Sequence, residues 1–257
     1  MAIITLLTDY GTSDHYVASL KAKILSGNPN VTIIDISHSI NTGDIAHASF
    51  VLKSVFRNFP PSTVHLSCVG ATDREDSKNI ALQIDQHYFI GPDNGLFGLI
   101  SDNPNFLAIE INQPDKKKST FPGRDLFAPI AVKLASGAHI TDLGKPLSTY
   151  KKMIARSLRA SKQQIIGHVI RVDHYGNLIT NIDKQTFDIL VKDRQYQIIY
   201  GRETTSKLND NYFSVDPGNC FAFFNSLDLL EIGINQGNAS ELLGMEYDST
   251  VMINFIE

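Results

Sequence analysis

Residues 2–27 read AIITLLTDYGTSDHYVASLKAKILSG, and this stretch decides the fold class. The unbroken apolar run over residues 2–8 is the pattern of a strand buried on both faces, as in a parallel sheet. The run stops at Asp9, turns at Gly11, and after Asp14 gives way to apolar residues at helical spacing. Tyr16, Val17, Leu20, Ile24 and Leu25 fall on one side of that helix, and Gly27 closes it. The same alternation returns downstream. VTIIDIS (31–37) reads as a strand, and DIAHASFVLKSVFRNF (44–59) as a helix with Asp44 at its N-cap. TVHLSCV (63–69), NIALQI (79–84) and HYFIGPD (87–93) read as strands, and DLFAPIAVKLASG (125–137) as a helix stopping at Gly137. The expectation for residues 1–150 is an α/β domain built on a doubly wound, mainly parallel sheet, whose ligands bind beyond the carboxyl ends of its strands. Asp9 stands at such an end.

From residue 148 the pattern dissolves into STYKKMIARSLRASKQQ, polar and basic, which places a linker over residues 151–164. Residues 165–257 differ in kind: IIGHVIRVD, NLITNI, QYQIIYG, CFAFFN, LLEIGIN and TVMINFI are short β-rich runs broken by Gly, Asn and Asp. They predict a small β-barrel or sandwich domain.

Composition narrows the function classes. At 257 residues, 42% of them hydrophobic, the chain is long enough to bury a substantial core. A formal charge of −4 gives no basic surface for nucleic acid. Cys68 and Cys220 lie apart in apolar segments and read as buried thiols in a reducing compartment. The histidines show no metal-ligand spacing, so no metal and no cofactor are expected. No run approaches bilayer-spanning length and none resembles a leader, so the expectation is a cytoplasmic protein with a small-molecule ligand and no membrane partner.

Several polar clusters carry candidate chemistry. Asp9 and Asp14 flank the first turn; a carboxylate there can accept both hydroxyls of a ribose, or Asp14 can cap the helix while Asp9 shapes the turn. GPDNGLFG (91–98) places Asn94 in a strong turn signal whose amide can also face a ligand. DHYGNLITNI (173–182) gathers Asp173, Tyr175, Asn177 and Asn181 around Gly176. Such a cluster can hold an amino-acid head group, with Asp173 pairing to the ammonium, or can form an Asx-type hairpin.

Taken in order, LTDYGTSDHYVASLKAKI, NPNVTIIDISHSI, GPDNGLFG, TFPGRDLFAPIAVKLASG, VDHYGNLITNI and NSLDLLEIGINQGNASELLG resemble the S-adenosyl-L-methionine (SAM) hydroxide adenosyltransferase family, whose relatives include fluorinating and chlorinating enzymes. The resemblance implies an α/β N-terminal domain, a β-rich C-terminal domain, and a homotrimer with sites between neighbouring subunits. It implies attack by hydroxide from water, or by halide, at the ribose C5′ of SAM. It gives Asp9 the ribose hydroxyls, Asp173 and Ser226 the methionine amine and carboxylate, and Tyr212 the adenine face. Asn177, beside Tyr175, contacts the ligand, and Asn94 lines the N-terminal side.

The resemblance also exposes departures. Hydrolysing members carry an acidic loop with a following arginine, and a histidine before a GRD segment. Here the loop reads CVGATDREDSK, where a gapless register puts Gly70 at the aspartate and Ser77 at the arginine, while Pro122 stands in FPGRD at the histidine. Asp73, Arg74, Glu75, Asp76 and Lys78 crowd the same loop, which is either a solvated turn or a shifted loop returning an acid and a base to the nucleophile; Asp73 and Arg74 are the catalytic candidates. Halogenation is disfavoured by the short link from this loop to HYFIGPD and by Leu227, which stands where the fluorinating relatives hold the methionine carboxylate with arginine. The expected reaction is hydrolysis of SAM to adenosine and L-methionine, with an inactive SAM- or adenosine-binding protein and adenosyl transfer to another nucleophile as alternatives.

Overall fold

The computed structural model describes residues 2–72, 78–101, 103–112 and 119–256. The chain divides into two compact units, Met1–Ile154 and Ala155–Glu257. Among the described residues no helix is long and apolar enough to cross a membrane.

In the first unit the opening apolar run forms β1 (Ile3–Leu7), which leads through α1 (Tyr16–Gly27) to β2 (Thr32–Ser37) and through α2 (Ile45–Val55) to β3 (Val64–Ser67). The hairpin β4 (Asn79–Ile84) and β5 (His87–Pro92) follows, then α3 (Leu96–Ile100), β6 (Leu107–Ile111), α4 (Ala128–Ala135) and β7 (Gly144–Pro146). The strands form one sheet in the order β2-β1-β3-β5-β4-β6-β7, parallel from β2 to β5 and antiparallel beyond. Period-two alternation sends Ile4 and Leu6 to one face, where they pack with Leu20, Ile24, Phe127 and Ala131 of the α1/α4 side. Leu7 goes to the other, against Ala48, Leu52, Phe97 and the 3₁₀ residue Phe56. Apolar strands covered on both faces are what a doubly wound sheet requires.

Two local expectations for α1 are corrected. Tyr16 and Leu25 are 40% and 43% exposed, because the buried stripe narrows to Leu20 and Ile24, one turn apart. Tyr16 instead sets its ring against Tyr10 and Phe121. Asp14 does not cap α1, whose N-cap residue is His15 with no side-chain bond. Asp44 does cap α2, accepting from the His47 N–H at 2.9 Å.

Beneath the sheet lies a buried polar chain. Thr5 Oγ1 and His65 Nδ1 share a hydrogen bond of 2.8 Å, and His65 Nε2 and His87 Nδ1 one of 3.2 Å. Burial first, and His87 second, push the His65 imidazole down to about 3, so it stays neutral in the fold. The unfolded chain takes up this proton below its ordinary value near 6.5, the folded chain only near 3; stability is therefore lost as pH falls through that window. A His65→Gln variant, which cannot titrate, is expected to show a shallower decline of urea-unfolding stability between those pH values. An unchanged slope would remove His65 from the acid sensitivity.

The second unit is antiparallel. Its strands are β8 (Arg159–Ala160), β9 (Gln164–Val172), β10 (Leu178–Asp183), β11 (Gln195–Tyr200), β12 (Glu203–Thr205), β13 (Cys220–Phe224), β14 (Leu229–Ile234) and β15 (Thr250–Ile256). They run in the order β12-β11-β15-β9-β10-β14-β13, with β8 on β9, in a nearly closed barrel-like sheet around Ile165, Leu178, Ile198, Leu230, Ile232 and Ile253. Two short helices decorate it, α5 (Lys184–Val191), capped by Asp183, and α6 (Ala239–Leu243), capped by Asn238.

Candidate functional site

Each unit carries a cavity. In the first, β1 connects to β2 on one side and β3 then returns on the other side of β1, so the chain direction across the sheet reverses between β1 and β3. Loops leaving adjacent strands diverge there and open a crevice at the carboxyl ends. The cavity at this place measures about 870 Å3, and Asp9, Gly43, Gly70, Asn94, Pro122 and Tyr16 are among its walls. Asp9 follows β1, and its Oδ2 accepts from the Gly43 N–H at 2.9 Å and the Gly70 N–H at 3.0 Å. Asp9 Oδ1 takes no hydrogen bond from a described residue. One oxygen thus anchors the loops after β2 and β3, leaving the other to accept from a ligand. Asn94 is fixed from both ends: its Nδ2 donates to the Val69 carbonyl at 2.9 Å and its Oδ1 accepts from the Leu96 N–H at 3.2 Å.

Gly70 has φ +63°, in the left-handed region where a side chain is strained. Its contribution is an N–H to Asp9, and Pro122 has no N–H and no ionisable group. Both positions face the cavity, so two of the three expected catalytic groups are absent from walls that are present. Tyr10 and Cys68 do not replace them. Burial, with the Cys68 thiol beside it, pushes the Tyr10 phenol well above its usual range, and burial pushes the Cys68 thiol up to about 12. Burial thus favours the neutral, protonated form of both groups.

In the second unit a cavity of about 620 Å3 is walled by Tyr175, Asn177, Tyr212, Phe221 and the Asn235–Asn238 turn. Asp173 organises one edge: its Oδ1 accepts from the N–H of Tyr175 at 2.8 Å and of Asn177 at 2.9 Å, and its Oδ2 accepts from Asn177 Nδ2 at 3.2 Å. The Asx-type turn is therefore real, and it is also what holds Asn177 against the cavity. Gly176 at φ +84° completes it, since a Cβ there would stand 2.1 Å from Asn238 Oδ1. Tyr212 stands edge-on to Phe221 and Phe223 with 43% of its surface exposed, an aromatic face open to a planar ligand. Burial, and then the nearby Glu231, push its phenol up to about 12, so it remains a neutral donor.

Not every sequence candidate joins these walls. Asn181 is separate from the Asp173 cluster: its Oδ1 accepts from the His168 N–H at 2.7 Å and its Nδ2 donates to the Arg156 carbonyl at 3.0 Å, which makes it a brace of the barrel. Ser226 rides exposed on the β13–β14 hairpin, outside the cavity lining, beside exposed Leu227. Asp73 and Arg74 lie outside the described residues, as do Glu75, Asp76 and Ser77. Sequence reading missed Glu231, a buried acid in β14; the available signal was a carboxylate inside an apolar strand run.

Comparison with known proteins converges on one family. Residues 4–144 match the model of the SAM hydroxide adenosyltransferase N-terminal domain, and residues 167–252 that of the C-terminal domain. A protein of Methanocaldococcus jannaschii named (R)-S-adenosyl-L-methionine hydrolase is 33% identical over 95% of this chain and 93% of its own. One of the same name from Salinispora tropica is 28% identical over 94% of each. Fluorinases match over a smaller share of the chain. A crystal structure of an uncharacterized conserved protein from Thermotoga maritima superposes with a TM-score of 0.88 at 32% identity, covering 98% of this chain and 99% of that one.

Proposed function

Because the chain belongs to the SAM hydroxide adenosyltransferase family, we propose that it hydrolyses SAM to adenosine and L-methionine by attack of water or hydroxide at the ribose C5′. The observation that carries this reading is the near full-length match to relatives named as SAM hydrolases, set against the partial match to fluorinases. In this reaction the C5′–S bond breaks as C5′–O forms, and the water releases one proton. Methionine leaves as a neutral thioether, so no acid has to protonate it. The protein's task is to hold nucleophile and carbon in line and to exclude bulk water.

In this reading Asp9 accepts the ribose hydroxyls and Asn94 lines the same side. Asp173 pairs with the ammonium, Ser226 with the carboxylate, Tyr175 and Asn177 contact the ligand, and Tyr212 takes the adenine, a stacking worth about 1–3 kcal/mol. A homotrimer and a cytoplasmic setting belong to the same proposal. Asp73 and Arg74 remain the proposed source of base and charge. Asp73→Ala is then expected to lower kcat at least about tenfold while SAM affinity stays within about twofold, read by single-turnover kinetics and calorimetry; full turnover would remove Asp73 from the mechanism.

A second reading, a SAM- or adenosine-binding protein without turnover, is favoured by Gly70 and Pro122 at cavity walls where the family resemblance leads ionisable groups to be expected. Incubation of purified protein with SAM, with adenosine followed by chromatography, separates the two. Adenosine above a heat-killed control supports hydrolysis; tight binding without product supports the binder.

A further inference from the structure

Glu231 is an acid inside a strand, and only 3% of its surface is exposed. Alternation along β14 turns Leu230 and Ile232 to the barrel core and Glu231 and Gly233 to the opposite face. On that face the register sets Glu231 between Ile179 of β10 and Phe223 of β13. Its Oε2 accepts from Asn225 Nδ2 at 2.9 Å, while its Oε1 has no hydrogen-bond partner among the described residues. Asn225 in turn builds the β13–β14 turn, its Oδ1 accepting from the N–H of Leu227 at 2.9 Å and of Leu229 at 3.2 Å. That turn carries Ser226. On the same face its cross-strand neighbour Phe223 carries the Tyr212 ring edge-on at 4.8 Å, and Gly233, two residues on, lies so close to Asn177 that a Cβ there would stand 2.4 Å from Asn177 Oδ1. Burial, then Asp173, hold the Glu231 carboxyl above its ordinary range.

A buried carboxyl with one unpartnered oxygen is a poor choice for stability, where a leucine of similar size avoids the desolvation cost. Its contacts explain what it does instead. We infer that Glu231 is a positioning residue that couples the hairpin carrying Ser226 to Asn177 and Tyr212, so that the amino-acid end and the nucleoside end of the ligand are held in one register. This rests on the SAM reading of the cavity given above.

The test is calorimetry on the full chain, titrating SAM, adenosine and L-methionine separately into wild type, E231L and E231Q, with S226A and Y212L as references and thermal melts to verify folding. E231L is expected to weaken adenosine and methionine each by about tenfold, whereas S226A weakens methionine alone and Y212L adenosine alone. E231Q keeps an acceptor for Asn225 but removes the charge and puts an NH2 donor in place of the unpartnered oxygen. It should return methionine affinity to within about threefold of wild type and leave adenosine weakened, a split that a purely structural role does not produce. E231L with wild-type affinity for both fragments, or with a loss confined to one, overturns the coupling. If E231L does not fold, E231Q decides: equal loss of both fragments, or of neither, overturns it. A wild-type chain that binds none of the three ligands overturns the pocket reading and this inference together, whereas a binding wild type with an indifferent E231L overturns the inference alone.

Discussion

Asp9→Ala is expected to weaken SAM binding by two orders of magnitude or more, the largest effect of any single change in the first cavity. On the proposed reading Asp9 does two jobs at once. Its Oδ2 holds the Gly43 and Gly70 N–H groups, and its Oδ1, which takes no hydrogen bond from a described residue, is the proposed acceptor for the ribose diol. Hydrogen bonds to a charged group contribute about 1.5–3 kcal/mol each, so one lost diol bond accounts for roughly 10- to 150-fold, and release of the two loops adds to it. Asp9→Asn separates the jobs: an amide oxygen still accepts from both glycines, but its NH2 now meets the diol as a donor. That variant should keep the wild-type melting temperature and lose about thirtyfold in SAM affinity, with L-methionine affinity unchanged. Equal SAM affinity in wild type and Asp9→Ala, measured by calorimetry, would show that the ribose is held elsewhere.

Asp173→Ala is the second large effect, and it acts on stability as well as on binding. Three donors lose their acceptor: the Tyr175 and Asn177 N–H groups and Asn177 Nδ2. The half-buried turn loosens at a cost of about 1–3 kcal/mol, and on the proposed reading loss of the ammonium partner costs a further 1.5–3 kcal/mol or so in binding. Asp173→Asn keeps the acceptor for both N–H groups but loses the charge and the acceptor for Asn177 Nδ2. The expected ordering of methionine affinity is wild type, then Asn, then Ala, and the melting temperature drops further for Ala than for Asn. A methionine affinity that ignores the charge would remove Asp173 from the head-group site.

Much of this architecture was legible because each apolar run carries its own period. β4 occupies residues 79–84 as its six apolar-rich letters predict, and the helix opened by Asp44 begins at the next residue. The fine geometry was less legible, for physical reasons. Tyr16 fits an apolar helical stripe, yet at the first turn it meets Tyr10 and Phe121 at the cavity instead of the core. α5 and α6 are too short for helical periodicity to stand out among β-rich runs. Asn177 and Asn181 are four apart in one hairpin, and only the fold reveals that one faces the cavity and the other braces Arg156. Glu231 looks like a polar break in LLEIGIN; strand parity puts it on the face opposite the barrel core, but its burial and its bond to Asn225, six residues away, follow from no local pattern. Pro122 and Gly70 were visible as departures, and the structure adds that both positions remain walls of the cavity.

The measurement that bears most directly on the proposed reaction is hydrolysis of SAM in water enriched in oxygen-18, with the products weighed by mass spectrometry. Attack of water at C5′ puts one heavy oxygen into the 5′-hydroxyl of adenosine and none into methionine. Adenosine without the label, or no adenosine at all from a chain that binds SAM, would contradict it.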